Sequence, residues 1–285
     1  MGGRPVALSL LRLYPKKLAS VLAGWVASQK PPKCITGFIL SRFAHHYGID
    51  LDEAEKPLAE YRSLQEFFTR RLKPGARPQQ RMSPGAINSP VDARLLAVGR
   101  ILSGTLIQAK GMPYRLEELL KHIPSQERFE GGHYMTLYLS PKDYHRIHVP
   151  IEGSVLAVGG VEGELWPVND SGTAHLPRLY ERNRRAVWVA GGSGRDSGLL
   201  VACVLVGATH VGSCVVDKRW LRDRELPKDG AMGVPNLPCT PGEDLGLFQF
   251  GSTVILLVGG PRADNWRPEV TEGTVKVGQR LGGYA

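Results

Sequence analysis

Apolar residues recur at helical spacing along the first part of the chain. Residues 4–29 are predicted to form a helix that Pro15 interrupts, with Arg12 and Lys16 on its polar side. The apolar face of this helix is formed by Leu8, Leu11, Leu18, Leu22 and Trp25. The pattern is typical of a helix that lies in a membrane interface, and equally of one that packs on a protein core. Its charge-free part, residues 18–29, is too short to span a bilayer.

The periodicity changes from helical to strand-like near residue 86. Before that point a second amphipathic helix is predicted over residues 35–47, and Ser63 followed by Glu66 is the capping pattern of a third. After it, short apolar runs alternate with Gly and Pro, which is typical of strands, and one predicted helix at 115–122 interrupts them. The predicted strands are 94–98, 134–139, 154–158, 186–190, 199–206, 212–216, 253–258 and 274–277.

These elements predict an α+β fold. A β-rich domain over residues 83–285, with a mostly-β sandwich or barrel-like core, follows a helical N-terminal segment over residues 1–82. The helical segment carries 14 Lys and Arg against 6 Asp and Glu, whereas the other 203 residues carry 22 against 21. Such a basic segment indicates a polyanionic partner, and charge alone admits both nucleic acid and anionic lipid.

The stretch Phe250-Gly251-Ser252-Thr253 carries candidate chemistry where it leads into an apolar run. Gly251 has no side chain, so its carbonyl is open to close approach. The Ser252 hydroxyl is able to attack that carbonyl and turn the amide into an ester. Elimination and hydrolysis then leave a pyruvoyl group at residue 252, whose ketone binds amines as Schiff bases and accepts electrons. Alone, the short motif also fits an ordinary strand start.

Two further stretches offer a base and an orienting acid for this serine. They are Ser89-Pro90-Val91-Asp92-Ala93 and Tyr138-Leu139-Ser140-Pro141-Lys142-Asp143-Tyr144-His145-Arg146-Ile147-His148. From the residues alone, Asp92 also fits a turn after a proline, and the two histidines also fit a metal pair or unrelated positions.

Together with Gly251-Ser252-Thr253, these stretches resemble the phosphatidylserine decarboxylases, pyruvoyl enzymes that make phosphatidylethanolamine. The similarity runs from about residue 10 to residue 278 and includes residues 106–111, 206–209 and 242–246. Two positions depart from the family pattern: Phe250 stands where the family usually has Leu, and Ala93 where it usually has Gly.

The resemblance implies a self-cleavage triad of Asp92, His148 and Ser252. In this triad His148 takes a proton from Ser252, and Asp92 holds the imidazole in the required tautomer. His145 matches a family residue of the decarboxylation step, in which it returns a proton to the substrate carbon.

The implied cleavage lies between Gly251 and Ser252. It divides the chain into a large β chain, residues 1–251, and a small α chain, residues 252–285. The only cofactor implied is the pyruvoyl group derived from Ser252, without a metal site.

The resemblance also implies the substrate and the setting. We expect decarboxylation of phosphatidylserine to phosphatidylethanolamine and carbon dioxide, by a homodimer of processed units held peripherally on the cytoplasmic side of the cell membrane. Anionic lipid, rather than nucleic acid, is then the polyanionic partner. Two other classes stay open: a non-catalytic lipid-binding module, and a serine hydrolase using Ser252, His148 and Asp92, although the G-x-S-x-G elbow is lacking.

Overall fold

The computed structural model describes residues 16–80, 83–108, 111–209, 214–249 and 252–284. Three residues of the predicted amphipathic helix, Leu8, Leu11 and Arg12, lie outside the described residues. So do Phe250 and Gly251, which precede the predicted nucleophile.

Three helices form the described part of the chain up to residue 80: α1 (Lys16–Ser28), α2 (Lys33–Tyr47) and α3 (Leu64–Phe68). Helix α2 ends at Gly48, which adopts the left-handed conformation that favours glycine. Helix α3 begins where the Ser63 hydroxyl accepts the Glu66 N–H at 3.1 Å, as the capping pattern predicts. The other described helices are α4 (Leu116–Leu119), α5 (Asp170–His175), α6 (Leu179–Arg182), α7 (Lys218–Leu221) and the 3₁₀ turns Leu58–Glu60, Gln126–Phe129, Gly194–Asp196 and Ala263–Asn265.

Strands dominate the described residues after residue 86. They are β1 (Ile87–Asn88), β2 (Ala93–Arg100), β3 (Thr105–Ile107), β4 (Pro113–Arg115), β5 (His133–Leu139), β6 (Arg146–His148), β7 (Gly153–Val161), β8 (Arg185–Gly192), β9 (Leu200–Val206), β10 (Cys214–Val216), β11 (Gly230–Cys239), β12 (Asp244–Phe248), β13 (Ser252–Gly259), β14 (Trp266–Pro268), β15 (Thr274–Val275) and β16 (Arg280–Tyr284). Every predicted strand overlaps one of these, whereas the predicted helix at 115–122 is reduced to the single turn α4.

The central element is an antiparallel sheet of eight strands in the order β11-β7-β8-β9-β13-β5-β2-β15. Two three-stranded sheets, β1-β16-β14 and β10-β12-β6, and the hairpin β3-β4 accompany it. Within the described ranges these sheets do not close into a barrel. The predicted α+β class with a mostly-β core is confirmed.

Strand β13 lies inside the large sheet and is buried on both faces. Val254, Leu256 and Val258 join the core cluster that also contains residues of β6, β12 and β16. Ile255 and Leu257 join the opposite cluster, formed with the helices α4 and α6. Burial on both faces explains why this strand reads as an unbroken apolar run. It also places its first residue, Ser252, at the end of a rigid central strand.

The helical segment has a small core of its own, formed by Leu40, Ala44, Ile49, Tyr61 and Phe67. Large apolar side chains on the outer faces of α1 and α2 remain exposed, including Leu18, Leu22 and Trp25 of the predicted apolar face. Among the described residues, no helix is both long and apolar enough to cross a membrane.

Candidate active site

Ser252 is the first residue of β13, where it pairs with Leu139 of β5. Its side chain is fully buried, and its hydroxyl oxygen has no hydrogen-bond partner among the described residues. A buried hydroxyl that contributes no hydrogen bond to the fold is uncommon, because removing a polar group from water without compensation is unfavourable. The Ser252 hydroxyl is therefore free to react, a property that it shares with the hydroxyl of the neighbouring Thr253.

His148 lies at the end of β6, next to β12 in the sheet. Its Nδ1 lies 2.8 Å from the carbonyl oxygen of Gly242, and its Nε2 lies 3.1 Å from the Tyr144 hydroxyl. Since a carbonyl only accepts, Nδ1 carries the proton and Nε2 is the free base, which accepts the Tyr144 O–H. Gly242 has φ of 91°, a left-handed conformation that a residue with a side chain rarely adopts. The local turn thus selects the tautomer of His148 that a general base needs.

The surroundings of His148 keep it neutral. Burial lowers its pKa, although the Gly242 carbonyl and the carboxylates of Asp244 and Asp92 oppose that shift. Asp244 is itself engaged by Arg146, whose Nη2 lies 2.8 Å from one carboxylate oxygen, and its other oxygen lies 3.6 Å from Nδ1 of His148. His148 is therefore available as a proton acceptor at neutral pH.

Asp92 is held by a cation. Arg77 donates from Nε and Nη2 to the two Asp92 carboxylate oxygens, and the backbone N–H of Val277 donates to one of them at 2.8 Å. The same guanidinium binds Glu53 at 2.6 Å and, by that hydrogen bond, lowers the pKa of Glu53 to about 2. Three hydrogen bonds to one carboxylate fix its position.

His145 is fully buried, with its ring centroid 3.9 Å from that of Phe68. Its Nδ1 donates to the Asp143 carbonyl oxygen at 2.8 Å, and its Nε2 has no partner among the described residues. Burial lowers the pKa of His145 to about 3, and the charge of Arg70 acts in the same direction. The residue is thus a neutral imidazole with an unprotonated Nε2.

The loop between β5 and β6 positions both histidines. It starts next to Ser252, since Leu139 is the last residue of β5. The Asp143 carboxylate accepts the backbone N–H and the hydroxyl of Ser140, each at 2.7 Å, which closes the loop. Burial raises the pKa of Asp143.

Two cavities with shared lining residues adjoin the predicted base and the predicted acid. One, of about 470 Å³, is lined by His148, Gly242 and Asp244, and the other, of about 250 Å³, is lined by Asp92. Arg77 and Tyr144 line both. Among the described residues, no hydrogen bond joins Asp92, His148 and Ser252 to one another.

The structure adds four residues to which the sequence analysis gave no role: Arg70, Arg77, Tyr144 and Asp244. Tyr144 lies inside the quoted stretch, four residues before His148, and this spacing was a usable signal. Arg77 and Asp244 are distant in sequence from their partners, so nothing in the chain order indicated their contacts. Ala93, which departs from the family pattern, is buried at the first position of β2.

Comparison with known proteins matches the chain to one family. The sequence model of the phosphatidylserine decarboxylase family matches residues 64–283. A phosphatidylserine decarboxylase proenzyme of Brevibacillus brevis is 42% identical over 98% of both chains, and one of an Anaeromyxobacter species is 39% identical over 98% of both. The proenzyme of Myxococcus xanthus is 35% identical over 96% of this chain and 97% of its own. Because these matches extend over nearly the whole length and include the stretches around Asp92, His148 and Ser252, the chain belongs to the phosphatidylserine decarboxylase family.

Proposed function

We propose that this protein decarboxylates phosphatidylserine to phosphatidylethanolamine after cutting its own chain between Gly251 and Ser252. The observation that carries the proposal is the hydroxyl of Ser252 at the start of β13, which is buried and has no hydrogen-bond partner among the described residues. Family membership supports both the substrate and the processing, since the relatives are named as proenzymes of this enzyme.

Self-cleavage begins at Ser252. Its oxygen attacks the Gly251 carbonyl carbon, and the peptide bond is replaced by an ester as the Ser252 nitrogen takes a proton. Removal of the Ser252 α-proton then expels the residue 251 carboxylate. The remaining enamine hydrolyses to a ketone and releases ammonia, so that the small chain starts with a pyruvoyl group. Each proton removal needs a base of moderate pKa close to Ser252.

His148 is that base, and Asp92 is its orienting acid. Nε2 of His148 accepts a hydrogen bond from the Tyr144 hydroxyl. This hydrogen bond has to break before Nε2 can take a proton from Ser252. Likewise, the Asp92 carboxylate is able to bind His148 only after a hydrogen bond from Arg77 to Asp92 breaks. The proposed triad thus requires an exchange of partners, which the two cavities sharing Arg77 and Tyr144 leave room for.

The pyruvoyl group fits the site, because the residue that forms it is buried and its hydroxyl bonds to no other residue in the described part of the chain. When bound to the substrate amine, its ketone supplies the electron acceptor that loss of carbon dioxide requires.

His145 moves the proton. The substrate amine arrives as an ammonium ion and must lose a proton to become a nucleophile. Nε2 of His145 is unprotonated and has no partner among the described residues, so it accepts this proton and afterwards gives it to the α-carbon that carbon dioxide has left. Burial keeps His145 neutral in the resting protein, so the Nε2 lone pair is free before the substrate binds.

The helical segment, residues 1–82, holds the β-rich domain, residues 83–285, on an anionic bilayer. Leu18 and Trp25 of α1 are 68% and 61% exposed, and Phe38 of α2 is 69% exposed. Large apolar side chains that cluster on a surface mark an interaction site. The excess of basic residues in the same segment selects anionic lipid, and each cation near the surface contributes about 1 kcal/mol. The cytoplasmic side of the membrane and a homodimeric state rest on family resemblance alone.

A denaturing gel with a lipid assay tests this proposal. The parent protein should appear as two fragments and convert phosphatidylserine to phosphatidylethanolamine. Ser252→Ala should remain one chain and be inactive. A parent protein that stays a single chain yet binds lipid would indicate a non-catalytic module instead, and ester hydrolysis by the uncut chain would indicate a hydrolase.

A further inference from the structure

Arg70 is a buried cation, and two of its three guanidinium nitrogens have no hydrogen-bond partner among the described residues. Its relative exposure is 5%, and its Nη2 donates to the Lys142 carbonyl oxygen at 3.2 Å. Nε and Nη1 are buried and have no partner among the described residues. The remaining contact of the guanidinium is with the ring of Phe67, 5.4 Å away. Burying a charge with two free donors is unfavourable unless a ligand completes it.

The carboxylates near Arg70 are already engaged. Arg70, Asp92 and Asp143 line the same cavity of about 250 Å³. However, Asp92 is bound by Arg77, and Asp143 accepts two hydrogen bonds from Ser140. Within the described ranges, no salt bridge involves Arg70. The free donors of Arg70 are therefore left for an anion that enters the cavity.

Arg70 is attached to the loop that carries the reacting groups. Phe68, two residues before Arg70, contacts the His145 ring in a tilted arrangement, and Nη2 of Arg70 donates to the loop at the Lys142 carbonyl oxygen. The same loop starts opposite Ser252. Nε2 of His145 and the oxygen of Ser252 are also buried without partners among the described residues. Arg70 contacts this loop, His145 belongs to it, and Ser252 pairs with the residue before it.

We propose that Arg70 binds the carboxylate of the serine head group. This inference rests on the proposed function. The amine and the carboxylate of phosphatidylserine are attached to one carbon, the carbon to which His145 returns a proton. An anion-binding residue that flanks His145 therefore meets the carboxylate before it meets the phosphate, which is two bonds further along the head group. The planar guanidinium matches a carboxylate with two parallel N–H donors.

This contact distinguishes the substrate from the product. In the reaction the bond between the α-carbon and the carboxylate breaks, the electron pair stays on the α-carbon side, and neutral carbon dioxide leaves. His145 adds the proton at the α-carbon. Arg70 then faces no anion, so phosphatidylethanolamine is held less tightly than phosphatidylserine, and product release is favoured.

The test compares Arg70→Met with the control Arg115→Met, since Arg115 is 65% exposed and pairs only loosely with Glu117. Both variants should self-cleave. For Arg70→Met, kcat/KM with phosphatidylserine should fall about 100-fold, the effect of losing a charge-assisted hydrogen-bonded pair. Inhibition by phosphatidylethanolamine in the same vesicles should change less than about threefold, because that lipid has the phosphate but no carboxylate. Arg115→Met should match the parent in both assays.

Two results would overturn the assignment. If kcat/KM is unchanged, Arg70 has only a structural role. If inhibition by phosphatidylethanolamine weakens in parallel with substrate use, Arg70 binds the phosphate. If Arg70→Met does not self-cleave, the parent enzyme is tested with the carboxyl methyl ester of phosphatidylserine, which has no carboxylate. The ester should inhibit no better than phosphatidylethanolamine. If the ester binds as tightly as the substrate, the proposal is wrong. A parent protein that neither cleaves itself nor decarboxylates refutes the proposed function instead.

Discussion

The backbone N–H of His148 donates to the carbonyl oxygen of Pro90 at 2.8 Å, so the predicted base lies beside the segment that carries Asp92. Their side chains nevertheless have other partners: His148 contacts Gly242 and Tyr144, and Asp92 contacts Arg77. The backbone thus brings acid and base together while the side chains are held apart. We interpret this as the arrangement of a precursor whose triad forms by exchanging these contacts.

The two histidines should differ in role. His148→Ala should slow self-cleavage at least about 100-fold, because general bases contribute that much or more. His145→Ala should still cleave but lose a similar factor in decarboxylation, since its proton reaches the substrate carbon and not Ser252. Gel electrophoresis and a carbon dioxide assay separate the two effects. His122→Ala is the control, because His122 pairs with Asp229 on the surface. If the His148→Ala variant cleaves itself and the His145→Ala variant does not, the roles assigned to the two histidines are reversed.

Burial of neutral His145 should make stability depend on pH. Its native pKa is lowered from 6.5 to about 3, so below pH 6.5 the unfolded state binds a proton that the native state does not. Stability is therefore lost as pH falls from about 6.5 toward 3. Between pH 7 and pH 5 this one group accounts for about 2 kcal/mol. In a Ser252→Ala background, which keeps one chain, the free energy of unfolding measured with urea should fall between pH 7 and pH 5. With His145→Asn added, that fall should be smaller by about 2 kcal/mol. An equal fall in the free energy of unfolding with and without His145 would contradict the lowered pKa of this residue.

Arg77 should stabilise the fold through Asp92 and Glu53. Its side chain is 9% exposed, and its removal leaves a nearly buried Asp92 carboxylate without its main partner. Breaking such a pair from one side costs about 3 to 5 kcal/mol. Arg77→Met in the Ser252→Ala background should therefore lower the free energy of unfolding by about that amount. Lys276→Met is the matched control: Lys276 also contacts Glu53 but is 63% exposed, so its loss should change stability by less than about 1 kcal/mol. Equal effects of both variants would contradict a dominant role of Arg77.

The sequence predicted the long apolar strands inside the large sheet and its edge strand β15, but missed the other edge strand, β11. The run at 254–258 was recognisable because both sides of β13 face apolar cores. Strand β11 was missed because it is rich in Gly and Pro, with Pro235 and Pro238 inside it. It forms an edge of the large sheet and has an irregular register between Gly233 and Leu237, and an edge position of this kind tolerates proline.

The site residues Asp92, His145, His148 and Ser252 were assigned from the family resemblance of short stretches in the chain, and their roles stay predictions. Their contacts with distant residues were not indicated by the sequence. The contact between Arg77 and Asp92 depends on how the segment after α3 crosses the β-rich domain, and the contact between His148 and Gly242 depends on the turn before β12. Such contacts between distant parts of the chain are fixed by packing, which periodicity and local motifs do not encode.

The exposed faces of α1 and α2 should bind anionic membranes. Replacing Leu18 and Leu22 with Asp should release the self-cleaved protein from liposomes that contain anionic lipid, because it removes the apolar insertion that salt does not weaken. High salt alone should release only part of the parent protein, since it screens the basic residues but not the apolar face. Leu102→Asp is the control, as Leu102 is 59% exposed on the β-rich domain. Sedimentation of the doubly substituted protein at the parent level would show that α1 does not anchor the enzyme.

The end group of the small fragment tests self-cleavage at Ser252 most directly. Mass spectrometry of residues 252–285 should give a mass one ammonia lower than that of a fragment that starts with serine, because the Ser252 amine has become a ketone. Edman degradation should be blocked, and cyanoborohydride with phosphatidylserine should add the lipid to this fragment alone. A fragment of unmodified mass that reads Ser-Thr-Val from its first residue would contradict the pyruvoyl account.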